Sequence, residues 1–312
     1  MRKEIAITLI LILLMLTPKH LAYAENRKYT ISGHVTDIDG KPLKNARIIV
    51  FKIQGSVWKL INITYTDTYG RYNVKVTEGK YKIIITHDLN TTPGFDYTIH
   101  TKEIQVSNNI QVNFTLMKAA TIMVKGEAIT AATDETAKYV EYRVEILNGS
   151  EKPGLMKNFG VLFEYTKNIG ITDKTIIIPA ELKVNIIVEA AFLIEREMKT
   201  IKFNLTDNPI KLSQGEYLEI EIQKASLAHS IKMVENILLE TQELIREAEQ
   251  KGFYMTIFKS KLSRIEGLIL SSKTKLENKK YEACYVDLRE AYISIINIKE
   301  KIKTTFAEAS SS

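Results

Sequence analysis

Residues 31–50 read ISGHVTDIDGKPLKNARIIV, and residues 66–83 read TDTYGRYNVKVTEGKYKI. Both stretches alternate apolar and polar residues with the period of two that is typical of β-strands. A glycine, Gly40 or Gly70, interrupts each alternation and predicts a tight turn with a positive φ. Asp37 and Asp67 lie just before these glycines, so their carboxylates are placed to cap the two turns.

Short β-strand patterns separated by turn signals continue through residues 29–116. Seven strands are predicted, at 29–36, 46–53, 57–66, 71–77, 80–87, 97–105 and 110–116. The spacing leaves no room for crossover helices, which excludes a parallel α/β sheet. We therefore predict a β-sandwich in which Tyr72 and Tyr81 lie on the core-facing side of their strands.

This segment resembles the carboxypeptidase regulatory-like domain over about residues 28–117. The resemblance is carried by ISGHVTD at 31–37, DGKPL at 39–43, ARIIV at 46–50, TD and GRY within 66–72, and GKYKI at 79–83. The resemblance implies a transthyretin-like (prealbumin-like) β-sandwich, a fold related to carbohydrate-binding-like modules. It also implies a stalk, spacer or adhesion module without catalytic activity.

A second β-rich segment follows the first. Its strand patterns are at 121–129, 139–147, 161–165, 175–178, 182–193, 198–205 and 217–223. They predict a second β-sandwich, of immunoglobulin-like type. Beyond residue 223 the apolar period changes to steps of four and three, which is typical of amphipathic helices with coiled-coil packing. Breaks at 251–252 and 278–280 divide this part into three helices, which predicts an antiparallel three-helix bundle.

The N-terminus has the pattern of a secretory signal peptide. Arg2 and Lys3 precede an apolar run at 5–16 and an Ala-Tyr-Ala sequence at 22–24. We expect a secreted or cell-surface protein that contacts a membrane only through an uncleaved signal or a partner. The predicted organisation is a signal peptide at 1–24, sandwiches at 25–117 and 118–225, a helical bundle at 226–307 and a tail at 308–312.

Charge and cysteine content narrow the functional classes. The net charge of +6 arises from 43 basic and 37 acidic residues, a mild excess that predicts no nucleic-acid partner. The single cysteine, Cys284, excludes an intrachain disulfide and falls on a core position of its predicted helix. We expect it to be a buried thiol rather than a nucleophile.

Five Asn-x-Ser/Thr sequons precede the predicted bundle and are candidates for glycosylation. They are Asn62, Asn90, Asn113, Asn148 and Asn204. Three of them, Asn62, Asn113 and Asn204, fall on the outward side of a predicted strand alternation. The same pattern is also expected of polar residues on a solvated strand face.

Two arrangements of candidate metal ligands occur in the sequence. His100 and Glu103 match the HxxE pair of zinc carboxypeptidases, with His229 further along, but in an extended strand the pair points to opposite faces. A zinc hydrolase is therefore the third and weakest hypothesis. Asp37, Asp67 and the nearby Asp39 could form a calcium cluster, although turn capping is the favoured interpretation. We expect no cofactor.

Aromatic residues of the first sandwich support a second hypothesis, a carbohydrate-binding module. Trp58, Tyr65, Tyr69 and Tyr97 have ring faces of the kind that stack on sugars. A carbohydrate-binding protein would expose Trp58 or Tyr97, whereas a spacer would pack both rings into its interior.

The predicted helices carry more apolar residues than one stripe requires. The additional positions are Ile237, Leu239, Leu244, Leu268, Leu270, Ile293 and Ile296. They indicate self-association or binding of a protein partner through the bundle. The first hypothesis is therefore an exported, non-enzymatic, modular protein whose sandwiches form a spacer or recognition arm and whose bundle mediates assembly or attachment.

Overall fold

The computed structural model describes residues 27–89, 91–147 and 174–310, with side chains as far as Phe306. The described chain forms two compact units, residues 27–87 with 99–116 and residues 88–98 with 117–310. We call these the first and second units. The predicted signal peptide, the sequons at Asn90 and Asn148 and the strand predicted at 161–165 lie outside the described residues.

The first unit contains two sheets. Its strands are β1 (Lys28–Asp37), β2 (Arg47–Gln54), β3 (Val57–Tyr65), β4 (Arg71–Thr77), β5 (Gly79–Thr86), β6 (His100–Val106), β7 (Ile110–Gln111) and β8 (Phe114–Leu116). One sheet has the order β4-β1-β7, with β8 also beside β1, and the other has the order β3-β2-β5-β6. Neighbouring strands are antiparallel except that β7 and β8 run parallel to β1.

The predicted strand at 110–116 is interrupted, because side chains replace the regular ladder between β7 and β8. The Tyr72 hydroxyl donates to the Val112 carbonyl at 2.7 Å, and the His34 amide donates to the Asn113 side-chain oxygen at 3.0 Å. Gly33 makes this approach feasible, since a Cβ there would lie 1.9 Å from the Val112 oxygen.

The core of the first unit follows the predicted alternation. Tyr72 and Tyr81 are buried, as the sequence predicted, together with the alternating aliphatic residues of their strands, Val74, Val76, Ile83 and Ile85. Full burial of one such aliphatic side chain contributes about 1.5–3 kcal/mol. The alternation in these strands therefore reports the side of the sheet that faces the core.

The second unit begins with two three-stranded sheets. Its strands are β9 (Ala119–Lys125), β10 (Tyr139–Leu147), β11 (Thr175–Pro179), β12 (Lys183–Ile194), β13 (Glu197–Asn204) and β14 (Tyr217–Glu221). The sheet orders are β10-β12-β13 and β11-β9-β14, and only the β9–β14 pair is parallel. Apolar residues of both sheets share one core. The immunoglobulin likeness of this part stays a prediction.

Three helices complete the second unit: α1 (Ile222–Gln250), α2 (Thr256–Glu277) and α3 (Tyr281–Ser310). The prediction of a β-rich region followed by three helices is confirmed. Leu227, Ile265 and Ile295 are among the side chains buried between the helices. The strand predicted at 217–223 is too long, because Ile222 enters the sandwich core as the first residue of α1. α3 continues to Ser310, where the sequence predicted a tail from 308.

Among the described residues, no helix combines the length and the apolar character that crossing a bilayer requires.

Gly40 and Gly70 provide a test of the close backbone contact between Gly70 and Val35 in the first unit. Both have positive φ, 82° and 72°, but a Cβ at Gly40 meets nothing within 4 Å, whereas one at Gly70 lies 2.4 Å from the Val35 carbonyl oxygen. Gly40→Ala is expected to cost about 1–2 kcal/mol from backbone strain alone. Gly70→Ala is expected to cost about 1–3 kcal/mol more, because Val35 and its strand must move.

Urea unfolding of the full chain measures this difference. The only tryptophan, Trp58, lies in β3, so its fluorescence follows the first unit. Equal losses of stability in the two variants would contradict the close approach of Gly70 to Val35.

Candidate functional surfaces

Two Asp-capped turns of the first unit have the same geometry. The Asp37 carboxylate accepts the amides of Asp39 and Lys41 at 2.9 and 2.8 Å. The Asp67 carboxylate accepts those of Tyr69 and Arg71 at 2.8 and 2.9 Å. The amide hydrogen bonds of both carboxylates are those that capping requires.

The charge state of Asp67 reflects this capping. The backbone amide of Arg71 contributes most to lowering the pKa of Asp67 below its ordinary value of 3.8, with further contributions from Tyr69 and the Arg71 guanidinium.

Throughout the described ranges, no three His, Cys, Asp or Glu side chains are grouped so that they could hold a metal ion. Asp37 and Asp67 thus have the arrangement expected of turn caps, and Asp39 takes part in the first turn through its backbone amide.

The HxxE pair is divided between two environments. The His100 ring lies edge-on to Phe114, with centroids 5.4 Å apart, and its Nδ1 is 3.4 Å from the Thr115 carbonyl oxygen. Burial lowers the pKa of His100. Glu103 instead forms an ion pair with Lys80 at 2.7 Å. In the second unit, His229 packs against Phe203.

The four candidate stacking aromatics differ in accessibility. Tyr97 is 7% exposed, and half-buried Trp58 has the Lys82 ammonium 4.0 Å from its ring centroid. Tyr65 and Tyr69 are exposed, and the Arg71 guanidinium lies 4.7 Å from the Tyr69 ring centroid. The burial of Tyr97, which belongs to the second unit, is what a spacer requires, whereas Trp58 is buried only in part. The Tyr65 and Tyr69 rings are exposed.

The three described sequons are exposed. Asn113 and Asn204 alternate with buried neighbours, as expected for the outward side of a strand. Asn62 differs because it lies in β3, an edge strand in which Ile61 and Ile63 are also exposed. The alternation predicted around Asn62 therefore does not separate an inner from an outer side.

β3 is the most apolar exposed strand of the first unit. Val57, Leu60 and Tyr65 are exposed in addition to its two isoleucines, and Lys59 is its only charged residue. The register shifts between Val50 and Phe51 of the neighbouring strand, which leaves a bulge in β3. Bulges of this kind commonly restrict further pairing at a sheet edge.

The bundle has a closed interior and isolated apolar side chains outside it. Cys284 is fully buried, and burial is the main cause that raises its pKa to about 11, which is the state of a structural thiol. Of the seven additional apolar positions, three are exposed and four are partly buried. The exposed ones are Leu239, Leu270 and Ile293, and Val286 is exposed one heptad before Ile293 on α3.

A junction that the sequence analysis missed connects the second sandwich to the helices. We define it as residues 128–134 with the side chains they contact. The Ala131 side chain is buried in the helical core. The Arg289 guanidinium donates to the Ala131 carbonyl at 2.7 Å and pairs with Asp134, and the Tyr285 hydroxyl donates to the Thr133 carbonyl at 2.8 Å.

Two serines of α1 complete the junction. The amides of Ile129 and Ala131 donate to the hydroxyls of Ser226 and Ser230 at 3.3 and 3.4 Å. Both serines are buried on the core side of α1. From the apolar period alone, they are indistinguishable from small residues that only fill space in the core. Their spacing of four along a helix was the available signal, but it does not identify the loop they bind.

The second unit also contains an open cleft of about 810 Å³, which the sequence analysis did not anticipate. Its lining comes from the ends of β9, β13 and β14, the first part of α1 and the α2–α3 connection. Five lysines line it against three carboxylates. Burial and the neighbouring charge of Lys232 lower the pKa of His229, which is also in the lining.

Residues 30–117 match the family described as the carboxypeptidase regulatory-like domain. The resemblance found in the sequence is thereby confirmed, and this part of the chain is a transthyretin-like β-sandwich of a regulatory, non-catalytic domain type. A stretch of 92 residues, 29% of this chain, is 33% identical to a viral protein named "Structural protein 27", from the isolate Australia/Victoria. The match spans 15% of that viral protein.

Solved structures with local similarity include the Bacillus anthracis TIE protein, at 15% identity over 62% of this chain and 34% of that chain, with a TM-score of 0.26. A streptococcal ancillary pilin matches at 11% identity over 63% of both chains, with a TM-score of 0.24. The wild-type catechol 1,2-dioxygenase of Acinetobacter radioresistens matches at 13% identity over 34% of this chain and 47% of that chain, with a TM-score of 0.22. The chain spans less than two thirds of each of these structures.

Acid titration tests the Asp67 cap. Because its pKa is lowered in the folded state, the ionised carboxylate stabilises the fold above the ordinary value of 3.8, and this contribution is lost as the pH falls through the lowered value. Asp67→Asn keeps an oxygen acceptor for the Tyr69 and Arg71 amides but cannot titrate. We expect this variant to lose less stability than the natural chain when the pH is lowered below 3.8.

The measurement is the urea midpoint of Trp58 fluorescence at a series of pH values. Glu197→Gln, at an exposed position of the second unit, is the matched control and should follow the natural chain. Superimposable acid profiles for Asp67→Asn and the natural chain would rule out a contribution of the ionised cap.

Proposed function

We propose that this chain is an exported, non-enzymatic structural protein. Its β-sandwiches serve as a spacer or recognition arm, and its helical bundle mediates assembly or attachment to a protein partner. In this proposal the N-terminal segment directs export, and the exposed sequons of the first unit, Asn62 and Asn113, carry glycans. The protein would then act at a cell surface or on the outside of a particle.

One observation carries the proposal: the second sandwich continues directly into the helices. β14 ends at Glu221 and α1 begins at Ile222, so no linker separates them. Ile222 is buried in the sandwich core, and Ala131 of the junction is buried in the helical core. Because each core contains a residue from the other part, the bundle holds the second sandwich in a fixed orientation. A structural arm requires a fixed orientation of this kind.

The composition of the arm also favours a structural role. Residues 30–117 form a domain of a regulatory, non-catalytic type, and the viral relative bears the name of a structural protein. Asp37 and Asp67 are used for capping, and Glu103 for an ion pair. These contacts stabilise the sandwich and leave the side chains in fixed, structural positions.

The exposed apolar side chains of the helices support the assembly role. Leu239, Leu270, Val286 and Ile293 are exposed and lie outside the buried apolar core of the bundle. Burying one such side chain at an interface contributes about 1.5–3 kcal/mol before the costs of association. We propose self-association of the chain through these exposed side chains of the helices.

Distance measurements test whether the second sandwich and the helical bundle are rigidly connected. Spin labels at Glu197→Cys and Ser263→Cys, in a Cys284→Ser background, report the distance between the second sandwich and α2. We expect a single narrow distribution that broadens in the Tyr285→Phe, Arg289→Ala double variant, since loss of a charged hydrogen bond of this kind costs about 1.5–3 kcal/mol.

Arg264→Ala is the matched control, because Arg264 pairs with Glu290 within the bundle and contacts no junction residue by hydrogen bond. A broad distance distribution in the labelled chain with an unchanged junction would contradict the proposed rigid connection.

Sedimentation velocity of the full chain tests assembly. We expect oligomers at high micromolar concentration that Leu270→Glu and Ile293→Glu convert to monomers, because a charge at an apolar contact must be desolvated. Ser263→Glu adds the same charge at an exposed polar position of α2 and should leave the oligomers intact. A monomeric natural chain would contradict self-association through the helices.

A further inference from the structure

The cleft of the second unit is built by elements distant in sequence. Lys125 ends β9, Phe203 and Asn204 end β13, Ile220 lies in β14, and the α2–α3 connection contributes Lys279. Its volume of about 810 Å³ lies within the range of about 300–1,000 Å³ typical of sites for small organic ligands.

The charges of the cleft do not cancel. Lys125 pairs with Glu219 at 2.5 Å, and Lys202 is paired with Glu189 at 2.8 Å. In contrast, Lys224, Lys232 and Lys279 form no ion pair among the residues that the structure describes.

The two remaining carboxylates compensate only part of this charge. They are Asp207 and Glu221, and Glu221 accepts a hydrogen bond from Tyr281. Burial and this hydrogen bond raise the pKa of Tyr281 to about 12, so its hydroxyl stays protonated. The cleft therefore presents a net positive charge at neutral pH.

Part of the cleft lining is apolar, and we call this part the apolar floor. Leu205, Ile220, Ala225 and Ala228 contribute the apolar part, and the two alanines leave the space over α1 open. Phe203 is buried, with the His229 ring 5.8 Å away, so it offers no free aromatic face for stacking a nucleobase.

Neutral hydrogen-bonding groups belong to the same lining. Asn204, Thr206, Tyr281 and His229 all line the cleft. Amide, hydroxyl and imidazole groups of this kind both donate and accept hydrogen bonds, and they match the hydroxyl groups of a sugar. Lysine ammonium groups match sulfate and carboxylate groups as point charges.

We propose that this cleft binds an anionic oligosaccharide. Lys224, Lys232 and Lys279 pair with its sulfate or carboxylate groups, and the apolar floor contacts the C–H faces of its rings. The arm would thereby attach to an anionic glycan surface through its second unit, independently of self-association by the helices.

Isothermal titration calorimetry of the bacterially produced full chain tests the proposal, because that chain has no glycan at Asn204. The probes are a heparin hexasaccharide, which is sulfated, a hyaluronan hexasaccharide, which carries carboxylates alone, and neutral maltohexaose. We expect saturable one-to-one binding of at least one anionic probe, which weakens as the salt concentration rises. Maltohexaose should not bind measurably.

Three variants locate the binding. Lys232→Gln combined with Lys279→Gln removes the charge of two lysines, the same net change as one Lys→Glu substitution, and should weaken binding about tenfold or more. Ala228→Phe should weaken it without a change of charge, by filling the space over α1. Lys75→Glu, at an exposed position of β4 in the first unit, is the charge-matched control and should bind as the natural chain does.

Thermal unfolding of each variant confirms that it is folded before titration. Absence of binding by both anionic probes would overturn the proposal. Equal binding of maltohexaose, or equal weakening by Lys75→Glu, would also overturn it, because binding would then depend on hydroxyl groups alone or on overall surface charge. Unchanged affinity in both cleft variants would place the ligand elsewhere and would equally contradict it.

Discussion

Burial of β-branched and aliphatic side chains is the constraint on which this structure depends, because its single cysteine, Cys284, excludes an intrachain disulfide. The central strands of the first unit are buried on both faces: Ile48–Phe51 are all buried, and so are Ile83–Ile85. Strands of this kind need turns that satisfy their own polar groups. Asp37 and Asp67 meet that need by capping, and Gly70 allows the backbone to approach Val35. The turn residues of the sequence motif thus allow the buried strands to pack together.

The second unit applies the same constraint to a larger assembly of elements. Its sandwich and its bundle each bury a separate apolar core, yet Ile222 begins a helix while lying in the sandwich core, and Ala131 lies in a loop while belonging to the helical core. Arg289 and Tyr285 satisfy carbonyl groups of that loop. This exchange of side chains accounts for the rigid connection we propose. The second unit also has a cleft beside the start of α1, and two alanines and five lysines are among its lining residues.

The two classes of prediction succeeded to different extents for physical reasons. Strand and helix positions followed from periodicity, because a side that faces a core repeats every two residues in a strand and every three to four in a helix. Periodicity was wrong where tertiary contacts replaced the repeat. Val112 and Asn113 interrupt a predicted strand because Tyr72 and His34 bind them, and the alternation of β3 marks no core-facing side because the strand is exposed along most of its length. The end of β14 was placed too late, since Ile222 is an apolar residue of the sandwich core but already belongs to α1.

The amino-acid sequence by itself determined the turns, the alternation of the strands, the helical stripe and the regulatory-like domain type. Each of these depends on residues within a few positions of one another. Only the tertiary structure decided that Arg289 meets Ala131, that Lys125 and Lys279 line one cleft, and that Tyr97 is buried whereas Tyr69 is exposed. These relations join residues that are far apart along the chain or separate residues with the same local pattern. They arise when whole elements pack, and a periodic pattern contains no information about which neighbour a packed element will meet.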